Sequence, residues 1–242
     1  HRLGGWDDVA ALAGRTEVMA DVIVNHVSSH SPQFLDYSAR GARSAYAGLF
    51  LTFDSVFPGG ATQAELLSVY RPRPGLPFTP ITLAGGTLAG GSRHLFWTTF
   101  TPEQLDIDLS HPEGMAYLDG ILKILAANAV RSIRLDAVGY AVKRAGSSCF
   151  MLPETFDFIR SFSARAGDLG LEVLVEIHSY YRRQIEIALH VDRVYDFALP
   201  PLVLHAFFTG TSKHLKEWIE VRPVNCLTVL DTHDGIGVID AA

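Results

Sequence analysis

The sequence predicts an α/β protein built on parallel strands, and three observations carry that expectation. Short runs of β-formers alternate with amphipathic stretches from Val18 to Asp231, as in repeated β then α units joined by right-handed crossovers. The β runs end in polar or charged residues, where a parallel sheet usually presents its reactive groups. A length of 242 residues, 48% hydrophobic and 19% charged, suits one large α/β domain and excludes a disordered or collagen-like chain. Five such strands are expected. They make either more than half of an eight-stranded barrel or one open doubly wound sheet.

Each element follows from the residues in turn. Trp6, Val9, Ala10 and Ala13 recur at helical spacing, with Asp7 and Asp8 favourable to the first-turn dipole. Val18 to Asn25 reads as a strand apolar on both faces, with His26 at its exit. From Ser28 to Thr99 the pattern loosens through repeated Gly and Pro, which predicts an inserted subdomain rather than one long loop. Within it, Arg71 and Arg73 are set among prolines in YRPRPG, either a solvated turn or a stiff cationic edge suited to phosphate. The tract AGGTLAGGS, Ala84 to Ser92, reads as a flexible loop. Ser110 to Glu113 matches a capping box, and Met115, Leu118, Leu122, Leu125 and Ala129 continue the helix behind it. A strand from Val130 to Asp136 follows, then a helix over 153–166, a strand over 172–177, a helix over 182–190, a strand over 193–197, a helix over 213–221 and a strand over 226–231.

A net charge of −6 gives no footprint for nucleic acid or an anionic membrane, so small-molecule partners are expected. Cys149 and Cys226 are far apart and lie in no metal-binding spacing, which predicts two free thiols in a reducing, cytoplasmic compartment. No stretch is long and apolar enough to span a membrane. The chain begins with His1 rather than Met, and a fragment or processed piece is expected.

The strand exits collect Asn25 with His26, Arg134 with Asp136, Glu176 with His178, Tyr195 with Asp196, and His233 with Asp234. Clustered carboxylates beside a cation can hold one group ionised and another protonated. Retaining glycosyl transfer needs that division, one carboxylate attacking the anomeric carbon while a second protonates the leaving oxygen. Asp136 beside Arg134 is the expected ionised nucleophile, Glu176 behind Leu174 and Val175 the expected protonated acid, and Asp234 the third carboxylate. Strand-end caps and structural ion pairs are the competing explanation.

In order, DVIVNH, RLDAVGY, EIHSYY and LDTHDGIGVID resemble the ordered motifs of the α-amylase family of glycoside hydrolases, family 13. YRPRPGLPFT, FTPEQLDID, SCFMLP and RVYDFALPPLVLHA are similar to its sucrose phosphorylase branch. The resemblance implies a partial (β/α)8 TIM barrel, about strands 3 to 7, with 1–27 and 100–242 as barrel and 28–99 as a subdomain inserted after strand 3. It also implies a cofactor-free double displacement in which sucrose and phosphate give α-glucose 1-phosphate and fructose. By motif match, Asp136 is the nucleophile, Glu176 the general acid/base and Asp234 the transition-state stabiliser. His26 and His233 match histidines that hold glucosyl hydroxyls, Arg134 an arginine oriented against the nucleophile, Phe100 an aromatic wall, and Gln104 and Tyr140 neighbours of the site. His178, Arg73 and Tyr140 match the acceptor side, with Arg73 connected to phosphate.

The same resemblance implies that the first two barrel strands, the eighth strand, a further acceptor loop and a C-terminal domain lie outside this sequence, and that the full-length protein can be a homodimer. Asn25 matches a calcium-binding asparagine of other family members. In this branch no metal is expected, and Asn25 is given a structural hydrogen-bonding role. Phosphorylases acting on glucosylglycerol, glucosylglycerate or sucrose 6-phosphate are the nearest alternatives. A hydrolase or transglycosylase, and a sugar-binding protein or inactive barrel fragment, stand further off.

Overall fold

A computed structural model describes residues 4–84 and 92–241. In chain order the strands are β1 Met19–Ile23, β2 His26–Ser28, β3 Phe78–Leu83, β4 Ser92–Trp97, β5 Gln104–Asp106, β6 Ser132–Asp136, β7 Glu172–Val175, β8 Arg193–Asp196 and β9 Cys226–Thr228. The helices are α1 Trp6–Ala13, α2 Pro32–Arg40, α3 Phe53–Val56, α4 Gln63–Ser68, α5 Pro112–Ala127, α6 Pro153–Asp168, α7 Tyr181–Ala188, α8 Leu199–Thr209 and α9 Lys213–Val221. The helices expected at 6–13 and 213–221 have those bounds; β1, β7, β8 and β9 end one to three residues earlier than the apolar pattern does, while β6 ends at Asp136 as expected and starts two residues later. The chain divides into two compact units, 1–22, 124–136 and 159–242 in the first, 23–123 and 137–158 in the second.

The first unit holds a five-stranded sheet in the order β1, β6, β7, β8, β9. From β6 to β9 every pairing is parallel, Ile133 opposite Val173, Val175 opposite Val194, and Tyr195 opposite Leu227. The order never turns back. A doubly wound sheet reverses at a switch point, so this is an arc of a barrel. Ile133, Leu135 and Val173 are fully buried, as are Phe162 and Ala166 of α6; each large apolar side chain so buried contributes roughly 1.5–3 kcal/mol. Gly170, at φ 74, closes α6, and Leu171 N–H returns to the Ala166 carbonyl at 3.0 Å.

One expectation is corrected in β1, which is not apolar and buried on both faces. Val22 is buried while Met19, Asp21 and Ile23 are exposed, because that second face opens onto a basin instead of packing. A second correction concerns Asp196, fully buried at the end of β8. It accepts from Trp218 Nε1 at 2.8 Å, Arg222 Nη1 at 2.9 Å and Leu199 N–H at 3.2 Å, so it fastens β8 to α8 and α9 and is not a group at the rim.

In the second unit β2 pairs antiparallel with β5, His26 opposite Asp106, and β3 with β4, Phe78 opposite Trp97. The stretch 28–99 lies inside this unit, which also takes in 23–27, 100–123 and 137–158. Its core includes Phe34, set edge-on to Phe50 and Phe96 at 5.1 and 5.5 Å, and a cluster of Leu51, Phe57, Val69, Trp97 and Cys149. Of the glycine-rich tract, 85–91 lies outside the described residues. The capping box at Ser110 does not form. Asp108 Oδ1 takes the Ser110 N–H and hydroxyl, His111 Nδ1 takes the Glu113 N–H, and Glu113 instead accepts from Gly48 N–H at 2.6 Å. The Asp two residues upstream is the stronger acceptor. Both cysteines are free, and among the described residues no helix is long and apolar enough to cross a membrane.

Candidate active site

The barrel arc gathers the strand-end residues of the first unit. Arg134 projects from β6 with Nη1 2.7 Å from Glu176 Oε2 and Nε 2.5 Å from Asp21 Oδ1. Burial works against the charge of this guanidinium, but Asp21, Glu176 and Asp136 together outweigh it and hold the group more firmly charged than a free arginine. Glu176 is only 6% exposed, and neither carboxylate oxygen has an aligned hydrogen-bond donor. Burial pushes its pKa up, Arg134 pulls the other way, and the nearby Asp136 and Asp234 charges raise it again, so the net shift is upward. A carboxyl raised in this way is kept ready to give a proton.

Asp136 closes β6, and the next residue, Ala137, is left-handed at φ 56. That conformation is costly for a residue with a Cβ and makes the sharp turn that ends the strand directly behind the carboxylate. Asp234 lies on the turn after β9, half-exposed, with His233 Nε2 3.7 Å and His178 Nε2 3.9 Å from its carboxylate. One acceptor or ligand atom each from Glu176, His178 and Asp234 fall within 4.8 Å of one another. His178 stacks on Phe197 at 4.0 Å, and its Nδ1 meets Asp240 at 3.1 Å; that bond leads the causes that raise the His178 pKa.

A basin of about 550 Å³ is lined by Met19, Asp21, Arg134, Tyr195 and His233. An apolar groove of about 570 Å³ in the same unit, lined by Leu202, His205, His214, Trp218 and Val238, holds none of the three carboxylates.

The second unit brings together a different set. His26 Nε2 bonds Gln104 Nε2 at 2.9 Å, and its ring lies 5.2 Å from Phe100. Phe100 is edge-on to Tyr140 at 5.1 Å, and Tyr140 packs with Tyr70 and Phe150. Burial, then Tyr70, raises the Tyr140 phenol. Four residues singled out in the sequence thus form one polar and aromatic cluster. Arg73 does not join it; the side chain is exposed and makes no ion pair among the described residues, while Arg71 bonds the Gly75 carbonyl.

Lys143, which sequence reasoning missed, is almost wholly buried. Its ammonium donates to Asn25 Oδ1 at 2.6 Å, to Asp106 Oδ2 and to the Tyr140 carbonyl. Asp106 also accepts from Thr99 N–H at 3.0 Å and Thr99 Oγ1 at 2.6 Å. Asn25 therefore has a structural hydrogen-bonding role. These oxygens do not fit a calcium ion, because a fixed positive charge already sits among them. Asp21 and Asp240 were likewise missed. The only signal either gave was a carboxylate inside a β-former run or closing GIGVID.

No family model matches the chain. A sucrose phosphorylase of Agrobacterium vitis is 56% identical over 239 residues, which covers 99% of this chain and 48% of that protein. The crystal structure of sucrose 6F-phosphate phosphorylase from Thermoanaerobacter thermosaccharolyticum matches with a TM-score of 0.89 at 33% identity, over 97% of this chain and 48% of that one. An α-amylase from H. orenii shares the fold, at a TM-score of 0.64 and 17% identity over 96% of this chain and 46% of that one. The chain spans about half the length of the curated relatives it matches.

Proposed function

From a chain that is homologous over nearly its whole length to sucrose phosphorylase, on part of the α-amylase barrel, we propose that the full-length protein transfers a glucosyl unit from sucrose to phosphate with retention. The observation that carries this reading is Glu176, buried with a raised pKa between Arg134 and the Asp136 charge at the ends of parallel strands.

In the first step an Asp136 oxygen forms a bond to the anomeric carbon, the glycosidic C–O bond breaks, and the Glu176 proton goes to the departing fructosyl oxygen. Arg134 keeps positive charge beside the carboxylates while Glu176 becomes an anion. Asp234 faces the oxocarbenium charge that develops in between. In the second step a phosphate oxygen displaces Asp136, and any proton that phosphate carries returns to Glu176. The product is α-glucose 1-phosphate. His26, His233, Phe100, Gln104 and Tyr140 are assigned to the glucosyl unit, and Arg73 and His178 to the acceptor. Residues 1–27 and 100–242 are assigned to the barrel and 28–99 to its inserted subdomain. Two free cysteines support a reducing, cytoplasmic setting.

The test is production of glucose 1-phosphate from sucrose plus phosphate by the full-length protein, beside Glu176→Gln. Phosphate-dependent turnover, lost roughly 100- to 10,000-fold in the variant, is expected. Phosphorolysis of a different glucoside, such as glucosylglycerol, would move the acceptor while keeping the mechanism. No transfer from any α-glucoside would overturn it.

A further inference from the structure

His178 is held more tightly than substrate contact requires, and what holds it is a carboxylate that the mechanism above does not use. Asp240 ends a short 3-10 turn, Val238–Asp240, and is fully buried. Its Oδ2 lies 3.1 Å from His178 Nδ1, while Oδ1 accepts from Ser179 N–H at 2.8 Å and from Gln184 Nε2 at 3.4 Å. Phe197 fixes the plane of the ring by stacking at 4.0 Å. Gly237 leaves the space, since a Cβ there would stand 2.3 Å from Asp240 Oδ2. The other ring nitrogen, Nε2, is buried without a hydrogen-bond partner and lies 3.9 Å from Asp234 Oδ2.

We propose that Asp240 is a positioning residue that keeps a proton on His178 Nδ1 and aims Nε2 at an oxygen of the phosphate acceptor, to which it donates when the ring is protonated. An ionised carboxylate can only accept, so Nδ1 must donate to it. Once protonated, the ring also offers a donor at Nε2, and a buried donor with no partner binds an anionic oxygen well. The titratable groups facing the ring are Asp240, Asp234 and Glu176, all acidic, and each favours the imidazolium. The part of this proposal that concerns phosphate rests on the phosphorylase reading; the part that concerns the ring does not.

The experiment has one readout for each part. Imidazole NMR of histidine-labelled full-length protein, with His178 assigned by loss of its signal in His178→Gln, gives its tautomer and titration without substrate. In Asp240→Asn the His178 proton affinity is expected to fall about tenfold, the loss of one nearby hydrogen-bonded charge. Kinetically, KM for phosphate is expected to rise about tenfold, with a smaller change in the rate of glucosyl-enzyme formation from sucrose. Should Asp240→Asn not fold, Gly237→Ala pushes the same carboxylate off the ring and is read in the same way. An unchanged His178 titration in the variant that folds overturns the proposal even if sucrose is turned over. A shifted titration with no phosphorolysis in the wild type instead retains the positioning role and removes the phosphorylase reading.

Discussion

The two oxygens of Glu176 face a guanidinium and two further carboxylates with no aligned donor. Its folded-state pKa is raised, so the buried group stabilises the fold least when ionised. Stability is full below the ordinary carboxyl value and is lost as pH rises through the raised one. Glu176→Gln removes that slope. The melting temperature of the variant relative to wild type should therefore climb as pH rises above the ordinary carboxyl range, as followed by calorimetry; a difference constant with pH would contradict the assignment. Arg134 shows what sequence could not foresee. The stretch RLD suggests a pair between Arg134 and Asp136, yet the guanidinium is bound to Asp21 and Glu176. Residues two apart on one strand are ~6.8 Å apart, whereas a neighbouring strand lies ~4.8 Å away, so the cation reaches across the sheet rather than along it.

At the scale of elements, buried polar groups tie segments distant in sequence. Lys143 fastens the segment after the 3-10 turn Val138–Tyr140 to Asn25 before β2 and to Asp106 on β5. Lys143→Met should cost about 3–5 kcal/mol by urea unfolding, since it leaves Asp106 buried and uncompensated. Adding Asp106→Asn should recover part of that loss. Chelator treatment of the wild type should leave its unfolding midpoint unchanged, because the cation of this cluster is covalently part of the chain. The sequence placed the helices well where apolar spacing and polar boundaries agree, as in α1 and α9. It misplaced the α5 cap because Ser110 and Glu113 fit a local rule while Asp108, His111 and Gly48 supplied better-placed partners.

For the molecule as a whole, the exposed apolar side chains matter most. In the first unit Phe207 and Phe208 on α8 are 82% and 86% exposed, and Val224 and Val238 are also open to solvent. The 242-residue chain is expected to associate with increasing concentration in light scattering, and paired Phe207→Ser and Phe208→Ser substitutions should reduce that association. Unchanged scattering would mean these rings are not the adhesive surface. Five strands alternating with helices, and their order along the chain, are legible in the sequence because period, length and punctuation are local properties. That the sheet is an arc without reversal, that Lys143 sits among the Asn25, Asp106 and Tyr140 oxygens, and that Asp240 holds His178 emerge from the folded chain. These partners are 3 to 118 residues apart, and most meet only when strand register brings their elements together, a geometry that no local spacing encodes.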